Sequence, residues 1–199
     1  MATPAVFVDR DGVLIREVNY LRRPEQVKLI RGSAEAVKLL RRAGFKVVVI
    51  TNQSGVGRGY FTLVDLARAH ARVKAFLRKA GTRLDGLYFC PHAPDDGCPC
   101  RKPKPFMLKK AARELRLDLA RSYFVGDTTT DVAAARAAGC AAVLVRTGKG
   151  GRDGKYSAVP AMTARNLRAA ARKILATLPR PRAAGSPAAR RSKRRSAGR

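Results

Sequence analysis

Tryptophan is absent from this chain of 199 residues, and the aromatic set stops at five tyrosines and seven phenylalanines. No row of aromatics stands ready to stack nucleic-acid bases, which argues against a dedicated single-strand binder. Acidic residues are scarce: 14 stand against 42 lysines and arginines, for a formal net charge of +28. Such an excess favours anionic partners, whether phosphate esters, nucleic acid or an anionic surface; compositional bias is the plainer alternative. Long apolar runs are also missing. Nothing approaches the roughly 20 residues of a membrane-spanning helix, and the start, MATPAVFVDRDG, lacks a charged stretch followed by an apolar one. The expectation is a cytoplasmic protein with no membrane partner.

Cysteine occurs only four times and histidine twice, yet three cysteines and one histidine fall within CPHAPDDGCPC, residues 90–100. In a reducing compartment such crowding points to metal ligands rather than disulfides. Cys90, His92, Cys98 and Cys100 form a closed Cys₃His set of the kind that holds structural zinc. There is no C-x-x-C pair, which disfavours redox chemistry. The last ligand is followed at once by Arg101 and Lys102, so a zinc clip would fix both cations in place.

What is present fits one folded domain, with 46% hydrophobic residues. Residues 1–179 are read as that domain. Residues 180–199 hold eight basic residues, no acidic one and no periodic apolar face. They read as a disordered tail able to contact polyanions without specificity. Apolar runs at 5–9, 45–51, 84–90, 122–127 and 141–147 read as buried strands. Amphipathic stretches at 33–44, 62–81, 104–116, 130–139 and 163–177 read as helices. Ser33 is the expected cap of the first, and Thr62 with Asp65 has capping-box spacing. This alternation predicts an α/β fold: a Rossmann-like parallel sheet covered by helices on both faces.

Ligands of such sheets bind at the carboxyl ends of the strands. Those ends carry Asp9 and Asp11 in DRDG, Thr51, Asn52, Gln53 and Ser54 in TNQS, and Asp127 and Asp131 in GDTTTD. Carboxylates gathered at one point raise one another's pKa unless a cation intervenes, and an all-oxygen set suits Mg²⁺. RTGKGG (146–151) lacks the spacing of a phosphate-binding P-loop and reads as a loop over the site. His70, among alanines and arginines, is expected to be solvated, and Cys140 to be a small buried filler.

In order, DRDG, TNQS, RKPKP and GDTTTD resemble the four motifs of the haloacid dehalogenase phosphatase superfamily. With CPH…CPC, the set is similar more narrowly to the heptose-bisphosphate and histidinol-phosphate phosphatases, over about residues 5–177. The resemblance implies a minimal cap, a monomer and a phosphorylated small-molecule substrate, most naturally a sugar bisphosphate. It implies Asp9 as nucleophile and Asp11 as proton donor and acceptor, with Thr51 and Lys102 completing the catalytic set. Mg²⁺ would lie on Asp9, Asp11 (through its carbonyl) and Asp127. Asp131 would stand behind them, orienting Lys102 or a metal-bound water. Glu17, Asn19, Tyr20, Asn52, Gln53, Ser54 and Arg101 would face the substrate. Thr128 departs from the lysine common after the motif-four aspartate, which removes one cation from the site. Two other activities stay open at this point: histidinol-phosphate hydrolysis, and a DNA 3′-phosphatase suggested by the net charge and the arginine-rich tail.

Overall fold

The structure, a computed structural model, describes residues 2–179. The basic tail, 180–199, lies outside the described residues. Six strands form one sheet: β1 (Thr3–Val8), β2 (Lys46–Asn52), β3 (Gly86–Cys90), β4 (Leu117–Gly126), β5 (Ala141–Val145) and β6 (Met162–Ala164). Their order is β3-β2-β1-β4-β5-β6, and every pair is parallel. The near-continuous apolar character of β1 and β2 follows from burial on both faces.

The helices are α1 (Ser33–Arg42), α2 (Ser54–Gly57), α3 (Leu63–Lys79), α4 (Phe106–Leu115), α5 (Thr129–Ala138) and α6 (Leu167–Ala176). One core packs Val6, Val8, Val47 and Val49 against α1, α3 and α6. The opposite core packs Phe7, Val48 and Ile50 against α4 and α5. Helices therefore cover both faces, as the alternation predicts. The chain runs outward through β2 and β3, then returns to lay β4 beside β1. That reversal opens a crevice at the carboxyl ends of β1, β2 and β4, where a ligand is expected.

Local structure departs from expectation at the first and last helices. Ser33 does not cap α1: the N-cap is Gly32 at φ +86°, and the Ser33 hydroxyl instead donates to the Val13 carbonyl at 3.3 Å. The expected helix over 163–177 is a short edge strand, β6, followed by α6, which Asn166 caps by accepting from the Ala169 N–H at 3.0 Å. A three-residue strand is too short to show a period. The capping box of Thr62 and Asp65 is present, and Thr128 with Asp131 forms a second one at the start of α5.

Candidate active site

The DRDG turn leaves β1 with Asp9 buried and Asp11 partly exposed. Gly12 holds φ +76°, and a Cβ there would stand 2.5 Å from Asp127 Oδ2. Glycine is thus required both by the backbone and by the close approach of motif four. Gly148 abuts Gly12 at the same oxygen, where a Cβ on it would stand 2.1 Å away, and the Lys149 N–H donates to that oxygen at 2.7 Å. The RTGKGG segment does lie over the site.

Lys102 is the centre of the cluster. Its ammonium is buried and donates to Asp9 Oδ1 at 2.9 Å, Asp131 Oδ1 at 2.6 Å and the Ile50 carbonyl at 3.2 Å. Burial alone would pull the lysine down, but Asp131 and Asp9 outweigh it and hold the ammonium charged. Asn52 fixes the backbone that carries it: Lys102 N–H donates to Asn52 Oδ1 at 3.0 Å, and Asn52 Nδ2 donates to the Lys102 carbonyl at 3.2 Å.

Asp9 and Asp127 are both pushed up to about 7, chiefly by burial, with Asp131 adding repulsion to each. Lys102 offsets only part of this, so both carboxyls ionise less readily than a free aspartate. Oxygens of Asp9, Asp127 and Asp131 come within 4.8 Å of one another. Asp131, however, has both oxygens engaged: Oδ1 by Lys102, and Oδ2 by the Thr128 hydroxyl at 2.6 Å and the Thr128 N–H at 3.1 Å. Asp9 and Asp127 are the carboxylates left for a hard cation.

A cavity of about 530 Å³ opens over this cluster. Glu17, Asn19 and Tyr20 wall it on the motif-one side, and Asn52, Gln53 and Ser54 on the motif-two side. Arg101 lines it too, as do Lys149 and Lys155, which sequence reasoning did not single out. Both lysines lie on the strap that Asp153 ties to α5, accepting from the Thr129 N–H at 2.7 Å and its hydroxyl at 2.8 Å. Thr51 is the exception among the site residues. It is buried, accepts from Gln53 Nε2 at 2.8 Å and does not itself line the cavity.

His70 is not solvated. It is buried on the inward stripe of α3 with Leu66, Ala69, Val73 and Leu77, against the Phe89 ring and the Arg10 guanidinium. Cys140 is buried, and burial pushes its thiol up to about 12, as expected of an inert filler.

The sulfur loop stands beside this cavity. Ligand atoms of Cys90, His92, Cys98 and Cys100 all lie within 4.8 Å of one another, with no disulfide. The Sγ–Sγ separations are 3.5, 3.1 and 3.7 Å, and the His92 Nδ1 stands 3.6 and 3.2 Å from two of the sulfurs. A tetrahedron with Zn–S bonds of ~2.3 Å has edges of about 3.8 Å; the separations here are somewhat shorter, and the cluster is compatible with a metal ion at its centre. The loop is tied to motif two: Gln53 N–H donates to the Cys90 carbonyl at 2.7 Å and Gly57 N–H to the Pro91 carbonyl at 2.8 Å. Lys104 Nζ donates to the Gly97 and Cys98 carbonyls at 2.9 and 2.7 Å.

Known proteins resemble this chain in sequence and fold. A family model described as HAD-hydrolase-like matches residues 99–170. The D-glycero-β-D-manno-heptose-1,7-bisphosphate 7-phosphatase of Pseudomonas aeruginosa is 43% identical over 153 residues, covering 76% of this chain and 86% of its own. The D-glycero-D-manno-heptose-1,7-bisphosphate 7-phosphatase of Thermosynechococcus vestitus is 44% identical over 169 residues, covering 78% of this chain and 86% of its own. A crystal structure of the D,D-heptose 1,7-bisphosphate phosphatase from B. bronchiseptica, complexed with magnesium and phosphate, superposes with a TM-score of 0.81 at 37% identity. That match covers 87% of this chain and 98% of the other.

Proposed function

We propose a function for this chain from one premise: the chain belongs to the heptose-1,7-bisphosphate phosphatase family of haloacid dehalogenase-like hydrolases. It is a phosphomonoesterase. The proposed reaction removes one phosphate from D-glycero-D-manno-heptose 1,7-bisphosphate and leaves the 1-phosphate. The observation that carries this reading is the buried Lys102 ammonium joining Asp9 to Asp131, under a cavity that Arg101, Lys149 and Lys155 also line. Cations beyond the one at the reacting centre suit a substrate with a second phosphate.

In this reading an Asp9 oxygen attacks phosphorus and forms an aspartyl-phosphate. Asp11 gives its proton to the departing sugar oxygen, then takes a proton from the water that attacks the aspartyl-phosphate. Inorganic phosphate leaves and Asp9 is restored. Lys102 balances charge throughout, with Asp131 holding its ammonium in place, while the Asn52 backbone N–H would hold the phosphoryl group and Thr51 would act from behind it through Gln53. Asp9, Asp127 and the Asp11 carbonyl would hold Mg²⁺, which when bound supplies positive charge against the carboxylates and phosphoryl oxygens. The raised carboxylates of Asp9 and Asp127 fit that ion. The Cys90, His92, Cys98 and Cys100 set would hold structural zinc, and the spacing of its ligand atoms supports this.

The remaining parts of the proposal are a cytoplasmic monomer with its catalytic domain in residues 1–179. Among the described residues no helix is long and apolar enough to cross a membrane. Residues 180–199 would contact polyanions, and their deletion should leave the rate on a small substrate unchanged. The deciding experiment is phosphate release in Mg²⁺ from heptose and hexose bisphosphates, histidinol phosphate and 3′-phosphorylated DNA. The heptose bisphosphate should give the highest kcat/KM; a higher value for histidinol phosphate or the DNA end would overturn the substrate assignment.

A further inference from the structure

Arg10 is a full positive charge with 1% of its surface exposed, set between the two aspartates of the first motif. Burial of a guanidinium is costly unless all of its donor directions are met. Its Nε and Nη2 donate to the Asp11 carboxylate, the shortest contact being 2.9 Å. Nη2 also donates to Gln53 Oε1 at 2.8 Å, and Nη1 meets His70 Nε2 at 3.0 Å. Arginine has no acceptor, so each partner's polarity is fixed. His70 must accept through Nε2 and carry its proton on Nδ1. Gln53 must turn its carbonyl to Arg10 and its amide nitrogen away.

That amide nitrogen then donates to Asp11 Oδ2 at 2.9 Å and to Thr51 Oγ1 at 2.8 Å. The Asp11 carboxylate is gripped on two sides, by Arg10 and by Gln53, and both grips depend on where the guanidinium sits. His70 stays neutral: burial, then Arg10 and Lys74, bring it down to about 3, so Nε2 remains free to accept. A leucine at 70 could not accept and would leave one guanidinium direction unmet.

We infer that His70, Arg10 and Gln53 form a positioning relay that sets the orientation of the Asp11 carboxyl for proton transfer, with His70 acting only through Arg10. This rests on the phosphatase reading above, and specifically on Asp11 as the proton donor. It also changes the part played by Gln53, whose side-chain hydrogen bonds go to the protein rather than to a ligand.

The test compares two esters that differ in how much they need an acid. An alkyl phosphate leaves as a poor alkoxide and requires protonation; p-nitrophenyl phosphate leaves as a stable phenolate and does not. The wild type, His70→Leu and His70→Gln are assayed on both in saturating Mg²⁺. Misplacing a general acid costs part of its usual 10²–10⁴-fold contribution, so His70→Leu should lose about tenfold or more in kcat/KM on the alkyl ester and clearly less on p-nitrophenyl phosphate. His70→Gln, whose amide oxygen can accept from Arg10, should keep the wild-type ratio of the two rates. If His70→Leu does not fold, Gln53→Glu serves, since it keeps the shape but loses both donated bonds; its rate ratio should shift in the same direction. Equal losses on the two esters would overturn the relay and leave the phosphatase reading standing. A wild type that cleaves neither ester nor the heptose bisphosphate would overturn both.

Discussion

Two crowded clusters meet at Arg101 and Lys102, and they solve opposite problems. The oxygen cluster gathers Asp9, Asp127 and Asp131 from parts of the chain more than a hundred residues apart, and it is buried. The sulfur cluster gathers four ligands from one short loop, three of them only partly buried or exposed. The oxygen cluster contains its own cations: Lys102 bridges Asp9 and Asp131, and Arg10 holds Asp11. The sulfur cluster contains none, since Lys104 bonds its carbonyls and not its sulfurs. Removing a metal ion should therefore harm the two regions differently. The oxygen cluster would lose chemistry and keep its shape; the sulfur loop would lose its shape.

The largest effect should come from the nucleophile. Asp9→Asn should remove turnover altogether while leaving a cooperative melt, because Lys102 retains Asp131 as its partner. Activity within about tenfold of wild type would remove Asp9 from that role. Asp11→Asn should cost about 10²–10⁴-fold on an alkyl ester. Chelation of Mg²⁺ should stop the reaction with only a small change in melting temperature, and Mg²⁺ alone should restore it. If Zn²⁺ were needed for rescue, the division of labour between the clusters would be wrong.

A change in the sulfur loop should act the other way round. Cys98→Ala should lower the melting temperature and raise KM for a phosphate ester at least as much as it lowers kcat. Each ~1 kcal/mol lost lowers the midpoint by about 2–4 °C in a chain of this size. Protein purified without added zinc should contain about one zinc per chain. Finding no zinc, with the three loop thiols titrating freely, would break the comparison at its sulfur end.

How much of this could be read beforehand follows from the same contrast. The sulfur set was legible because its four ligands are neighbours in sequence. The oxygen set was legible because each acid follows an apolar run that had to be a buried strand, so parallel order alone brought Asp9 and Asp127 to one rim. Lys149 and Lys155 were not legible: they depend on Asp153 reaching back to Thr129, and no periodicity encodes such a contact. The side-chain clamp of Asn52 on Lys102 was not legible either: it pairs residues fifty apart, and nothing local announces it. His70 is a different case. Its place at the fourth position after Leu66 and the third before Val73 put it on the buried stripe of α3. The alanines and arginines around it concealed that signal.

The smallest effect concerns the cation that the oxygen cluster keeps for Asp11. Burial, reinforced by Arg10 and Lys74, lowers His70 from 6.5 to about 3 in the folded chain. Between those values the unfolded chain binds a proton that the folded one refuses, so folding stability from this group is complete above 6.5 and is lost as the pH falls toward 3. At pH 5 the loss amounts to about 2 kcal/mol, at ~1.4 kcal/mol for each pH unit below 6.5. Other groups also titrate there, but they are shared with His70→Gln, which keeps an acceptor for Arg10 and has no proton to gain. Between pH 7.5 and 5 the melting temperature of wild type should therefore fall further than that of the variant, by about 4–8 °C. Parallel curves would mean that His70 takes a proton in the folded state. It could then no longer accept from Arg10, and the oxygen cluster would not contain the complete set of counter-charges that sets it apart from the sulfur loop.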